Sequence, residues 1–151
     1  MKIAFDFHGV LDKHPEFFKQ IMMGLCGTGT LFPGIFGDVT KPRTNTEVWI
    51  ISGPPINEVL EEIEALGFKQ GVHFHHIDTI VSHLLRTSEV HGKKVWKENS
   101  GWWVDDTYTW ESAKSIICEK LRIDYLIDDT SNYKQYFDVI DTEFILFGDK
   151  K

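Results

Sequence analysis

Residues 3–12 read Ile3-Ala4-Phe5-Asp6-Phe7-His8-Gly9-Val10-Leu11-Asp12. A short apolar run that ends in a carboxylate, with a glycine close behind, predicts a buried strand that delivers polar side chains at its C-terminal edge. The pattern returns twice. Glu47-Val48-Trp49-Ile50-Ile51 is stopped by Ser52-Gly53-Pro54-Pro55, and Tyr125-Leu126-Ile127 ends in Asp128-Asp129. Two more strands are expected, at Val72–His75 and at Phe144–Phe147. Helical spacing lies between them. Phe18, Ile21, Met22 and Leu25 form one stripe, with Pro15 in the first turn. Ile56, Val59, Leu60, Ile63 and Leu66 form the clearest, closed by Gly67. Ile77, Ile80, Val81 and Leu84 mark a third, and Trp110, Ala113, Ile117 and Leu121 a fourth that carries Lys114 in its first turn.

Strands that alternate with helices predict an α/β fold: a Rossmann-like, mainly parallel sheet of about five strands with helices on both faces. Residues 93–105, with Glu98-Asn99-Ser100-Gly101 at their centre, read as a small β-hairpin insertion. Gly24–Pro42 reads as irregular chain, and nothing in composition divides residues 1–151, so one domain is expected.

The 151 residues are 42% hydrophobic and 26% charged, which excludes a disordered or collagen-like chain. Cys26 and Cys118 are the only cysteines and form no CxxC pattern, which fits a reducing compartment. A net charge of −7 argues against an extended nucleic-acid groove and against anionic membranes. No apolar run is long enough to span a bilayer, and Met1–Asp6 does not read as a signal peptide, so a cytoplasmic protein is expected.

Ligands of an open parallel sheet bind at the carboxyl ends of its strands. Asp6, Ser52, Asp128 and Asp129 are all placed there, with Lys114 on the helix before the Asp128 strand. Carboxylates brought together repel unless a cation joins them, and hard oxygen donors suit Mg²⁺. Ser52 and Lys114 would then hold phosphoryl oxygens, in a site suited to phosphoryl transfer.

Asp6-Phe7-His8-Gly9-Val10-Leu11 resembles the first motif of the haloacid dehalogenase superfamily, Asp-x-Asp-Gly-(Thr/Val)-(Leu/Val). Ile50-Ile51-Ser52 is similar to the second motif, Lys114 to the third, and Leu126-Ile127-Asp128-Asp129 to the fourth. The resemblance implies a Mg²⁺-dependent phosphatase in which Asp6 is the nucleophile and forms an aspartyl-phosphate. It implies Mg²⁺ held by Asp6, the His8 backbone carbonyl and the acidic pair, with Asp129 the direct ligand and Asp128 in support. It also implies phosphoryl oxygens bound by Ser52, the Gly53 N–H and Lys114.

His8 departs from the motif, which usually carries Asp there. Imidazole can both protonate a leaving oxygen and activate water. The alternative is a structural His8 in a phosphate-binding or regulatory domain that turns over slowly or not at all. A phosphorelay receiver is disfavoured, because its acidic pair follows the first strand. A dehalogenase is disfavoured by the acids of the fourth motif.

Each residue also has a plainer reading. Asp6 could cap a turn, Ser52 could start one, and a lysine on a helix is solvated by default, as for Lys93 and Lys94. His73 and His75 would share a strand face, but with no third ligand they read as solvent-facing or capping. Cys118 reads as core. Trp96, Trp102 and Trp103 either pack the hairpin or form a lid that stacks on a ring. Neither cap-insertion point of the resembled family holds enough chain for a full cap domain. The expected substrate is therefore a nucleotide, a small phosphoester or a larger phosphorylated molecule, with closure by a neighbouring subunit left open.

Overall fold

The structure is a computed structural model that describes residues 1–27 and 45–148. Its centre is a five-stranded parallel sheet in the order β3, β2, β1, β6, β7: β1 is Lys2–Phe5, β2 Glu47–Ser52, β3 His76–Thr79, β6 Tyr125–Asp128 and β7 Glu143–Leu146. Two short antiparallel strands, β4 (Val95–Glu98) and β5 (Gly101–Val104), form a separate hairpin. The helices are α1 (Pro15–Cys26), α2 (Ile56–Ala65), α3 (Ile80–Arg86), α4 (Ser88–His91) and α5 (Thr107–Leu121), with a 3₁₀ segment at Ser131–Phe137. The α/β, Rossmann-like expectation therefore holds, hairpin included.

Alternation along the strands divides the core into two layers. Phe5, Val48, Ile50 and Ile127 face the side covered by Phe18 and Met22 of α1 and Val59 and Ile63 of α2. Ala4, Ile51 and Leu126 face the side covered by Ile117 and Cys118 of α5 and by Phe137. Cys118 is thus core, as the sequence suggests. Each apolar strand position serves one layer or the other, and for that reason the strands read as nearly continuous hydrophobic runs.

The third strand is a correction. Val72–His75 is not a strand of the sheet: residues 71–73 are turn, His75 makes the first bond to β2 through its N–H and the Val48 carbonyl, and β3 begins at His76, in register with Trp49 to Ser52 of β2. Phe74 is buried just after the turn, in an isolated bridge with Gln70, and the edge strand itself is mostly polar, with Asp78 in a bidentate pair with Arg86 at 3.0 and 2.7 Å. An edge strand needs backbone pairing more than apolar side chains. Ile77 accordingly belongs to β3, and α3 starts after Thr79, whose hydroxyl accepts from the Ser82 N–H.

Lys114 is the second correction. Asp106 caps α5 by accepting from the Thr109 N–H at 2.7 Å, so the helix starts at Thr107 and Lys114 is its eighth residue, not part of its first turn. Gly24 is a third: α1 continues through it to Cys26, and the rest of the expected irregular stretch, 28–42, lies outside the described residues. The hairpin turns at Asn99 and Ser100, both with positive φ (51° and 66°), as a two-residue loop that matches strand twist requires. Val95 and Val104 pack it onto Ile80, Leu84 and Ala113.

The chain fills the sheet outward from β1, first through β2 and β3 on one side and then through β6 and β7 on the other. The order therefore reverses between β1 and β6. That switch point opens a crevice at the carboxyl ends of those two strands.

Candidate active site

Asp6 follows β1 directly, Asp128 ends β6 and Asp129 follows it, so the switch point brings three carboxylates together. One oxygen from each lies within 4.8 Å of the others. Lys114 reaches them from the middle of α5, with Nζ 3.1 Å from Asp6 Oδ1 and 2.6 Å from Asp128 Oδ2. Its position there, rather than in the first turn, lets the side chain run under the sheet edge while staying 2% exposed. Lys93 and Lys94 lie elsewhere: Lys93 pairs with Asp106 at 3.2 Å, and Lys94 stands over the Trp96 ring.

The carboxylates are held differently. Asp6 Oδ1 also accepts from the Phe7 N–H at 2.9 Å. Asp128 is fully buried and uses both oxygens, Oδ2 toward Lys114 and Oδ1 toward the Thr130 N–H at 2.9 Å. Asp129 accepts from the Thr130 hydroxyl at 3.2 Å and lines a cavity of about 560 Å³ together with Gly9, Lys13, His14 and His8. Of the final pair, Asp129 is the one that faces open space.

The loop Phe7–Leu11 wraps this cluster. His8 (φ −72°, ψ 121°) and Gly9 (φ 91°, ψ −11°) break its helical path, and the Gly9 N–H is tied to Asp12 Oδ1 at 2.7 Å. A Cβ at Gly9 would stand 1.9 Å from Asp129 Oδ2, so only glycine lets the loop pass the carboxylate.

Burial raises the Asp6 carboxyl to about 7; Lys114 pulls it down, and Asp128 and Asp129 push it up. Burial also acts against the Lys114 ammonium, but Asp6 and Asp128 outweigh it and its pKa is raised. With all three carboxyls ionised, the buried, all-oxygen donor set carries two negative charges beyond the Lys114 ammonium. That set fits a hard divalent cation such as Mg²⁺.

Ser52, at the end of β2, is fully buried, and its Oγ is the one buried side-chain polar atom among the described residues without a hydrogen-bond partner. Buried hydroxyls are ordinarily paired, so an orphan at the end of the strand next to β1 invites a ligand oxygen. Gly53 follows it, close to the Trp110 ring.

His8 sits at the rim. Its Nε2 is 2.5 Å from Glu62 Oε2 of α2, and its ring packs edge-on against Phe7. Sequence reasoning missed Glu62, which reads as one more acidic residue on the solvent side of α2. It also missed Tyr133, whose ring lies 5.0 Å from Lys114 Nζ and whose hydroxyl accepts from Trp110 Nε1 at 3.2 Å. Neither leaves a periodic signal, because each contact joins elements distant in sequence. His73 and His75 are capping residues: Nδ1 of each accepts a backbone N–H, from Lys69 and from Val48, both at 2.9 Å.

Comparison with protein-family models, with curated proteins and with solved structures finds no match for this chain.

Proposed function

We propose that the protein is a phosphohydrolase of the haloacid dehalogenase type, dependent on Mg²⁺, that cleaves a phosphomonoester through an aspartyl-phosphate on Asp6. The observation that carries this reading is the buried cluster of Asp6, Asp128, Asp129 and Lys114 at the switch point, with the orphaned Ser52 hydroxyl at the end of the neighbouring strand β2. Asp6, the His8 carbonyl and Asp129 would hold the cation, with Asp128 behind them. When bound, it supplies charge neutralisation for the phosphoryl oxygens and for the carboxylates around it.

The residues divide the work by their surroundings. Asp6 attacks phosphorus; its bond to phosphorus forms as the bond to the leaving alcohol oxygen breaks. His8 donates a proton to that oxygen. It then takes a proton from the water that attacks the aspartyl-phosphate, which releases inorganic phosphate and restores Asp6. Ser52 Oγ and the Gly53 N–H donate to the phosphoryl oxygens, and Lys114 stabilises their charge. Asp128 anchors the Lys114 ammonium at 2.6 Å, and Glu62 fixes the orientation of the His8 ring. Positioning and fixed charge supply most of the catalysis in such a reaction.

Phosphate release from an aryl phosphate, with and without Mg²⁺, tests the reading in wild type and Asp6→Asn. Release that needs both Asp6 and Mg²⁺ supports it. Release that survives Asp6→Asn in pure protein refutes the nucleophile, and full activity in metal-free protein refutes the metal role. Absence of turnover together with Mg²⁺ binding at the cluster would favour the regulatory alternative, in which His8 replaces the usual carboxylate.

A further inference from the structure

A second pocket, of about 370 Å³, opens on the other side of His8, between the hairpin and α2, and Pro54, Glu58, Glu62, Trp102 and Trp110 line it. His8 borders both cavities, so the group that meets the leaving oxygen stands at the entrance to this one. A carbon placed on Gly53 would lie 3.6 Å from Trp110 Cζ2, which puts the phosphoryl-binding turn against the same indole. The cavity on the Asp129 side is the one that faces the carboxylates.

Both indoles are pinned through their N–H groups. Trp102 Nε1 donates to Glu58 Oε2 at 2.8 Å, and Trp110 Nε1 donates to the Tyr133 hydroxyl at 3.2 Å. With those donors committed, each ring offers the pocket its carbon surface. Glu58 uses its other oxygen on Lys97, at 2.9 Å, and so clamps the hairpin to α2. The clamp makes Trp102 a fixed wall, which lowers the entropy lost when a ligand stacks on it. Among the described residues no lysine or arginine lines the pocket, while Glu58 and Glu62 do.

We propose that this pocket binds the alcohol half of the substrate and selects an aromatic or heteroaromatic ring that carries no negative charge of its own. The proposal rests on the phosphohydrolase reading for the phosphoryl group, but not for the pocket. Flat rings match the two indole walls, whose stacking and edge contacts exceed simple area burial. A second anionic group would meet Glu58 and Glu62 in a lining without lysine or arginine, and the cationic partners at hand, Lys97 and His8, are already engaged by those two carboxylates. At about 370 Å³ the pocket lies near the small end of ligand sites, roughly 300–1,000 Å³, which suits one ring system.

Benzyl phosphate, ethyl phosphate and 4-carboxybenzyl phosphate have leaving alcohols of similar acidity, so their relative kcat/KM reads the pocket and not the chemistry. The expected order is benzyl at least tenfold above ethyl, with 4-carboxybenzyl below benzyl. Trp102→Ala should shrink the benzyl-to-ethyl ratio, and Glu62→Gln should raise the 4-carboxybenzyl-to-benzyl ratio. Binding is read separately from the indole N–H resonances of Trp102 and Trp110 during titration with benzylphosphonate and ethylphosphonate. Shifts with benzylphosphonate alone, in a protein that hydrolyses nothing, would uphold the pocket and refute the phosphohydrolase. Turnover without a benzyl preference and without indole shifts would overturn the pocket and leave the phosphohydrolase standing. Ratios unmoved by both substitutions would also overturn it.

Discussion

Replacing Ser52 with alanine should make the protein more stable and a worse phosphate binder at the same time. The Ser52 hydroxyl is fully buried and has no partner among the described residues. An unsatisfied buried hydroxyl costs about 1–3 kcal/mol. Removing it leaves an oxygen-sized void, worth about 0.4 kcal/mol at roughly 24 cal/mol per Å³ over about 15 Å³. The balance is a gain of about 1 kcal/mol, which in a domain of this size raises Tm by about 2–4 °C. The opposite sign appears once ligand is added. A hydrogen bond to a charged phosphoryl oxygen is worth about 1.5–3 kcal/mol, so its loss weakens phosphate binding by roughly tenfold or more. At a phosphate concentration about 100 times the wild-type Kd, ligand stabilises wild type by about 2.7 kcal/mol and a tenfold weaker variant by about 1.4 kcal/mol. Thermal unfolding with Mg²⁺, with and without inorganic phosphate, measures both quantities. A Ser52→Ala protein that melts lower than wild type, or that keeps the full phosphate-induced shift, would refute the assignment of this hydroxyl as a waiting donor.

Three other perturbations probe the site and its support. Gly9→Ala should lower Mg²⁺-dependent turnover about a hundredfold while the protein still folds, because the new Cβ would meet Asp129 Oδ2 at 1.9 Å and displacement of about 1 Å can cost that much; near-normal kinetics would show that Asp129 is free to move aside. Lys114→Met leaves Asp6 and Asp128 without their buried counter-charge, so it should destabilise the metal-free protein by about 3–5 kcal/mol in urea unfolding, with Mg²⁺ restoring part of the loss; an unchanged midpoint would refute the ion-pair account. His73 gives a pH dependence. Burial, with Lys19 and Lys69 nearby, lowers its pKa in the folded protein, so the unfolded chain binds more protons in acid. Its contribution to stability is complete above about pH 6.5 and declines as pH falls through that value toward the lowered one. The Tm of His73→Gln should therefore fall less than that of wild type between pH 7 and 5; equal slopes would exclude the effect.

How far the sequence could be read depended on whether a feature was local. Asp6, Ser52 and Asp128 each end an apolar run, and a strand that stops at a polar residue announces which sheet edge that residue occupies. The parallel sheet and the gathering of carboxylates follow from that alone. Gly67 behind α2 and Asn99-Ser100 in the hairpin carried their own turn chemistry. The third strand failed because Val72 and Phe74 are apolar within and just after a turn, with Phe74 buried there, whereas the strand proper, His76–Thr79, is mostly polar and marked only by its pairing with β2. The start of α5 failed because the apolar stripe begins at Trp110 while the cap, Asp106, precedes it by a turn. Glu62 beside His8 and Trp110 beside Gly53 were out of reach in another way. Each joins segments more than fifty residues apart, and no spacing rule encodes such a meeting. The orphaned state of Ser52 is likewise a property of its surroundings and not of its neighbours in the chain.

The central claim is that Asp6 carries the phosphoryl group during turnover. Rapid acid quenching of the protein with benzyl phosphate and Mg²⁺, followed by borohydride reduction and peptide mass spectrometry, tests it directly, because borohydride converts an aspartyl-phosphate to homoserine. The account predicts homoserine at position 6, dependent on Mg²⁺ and absent without substrate. Phosphate release that proceeds while Asp6 stays unmodified at every quench time, or modification at another carboxylate, would contradict it.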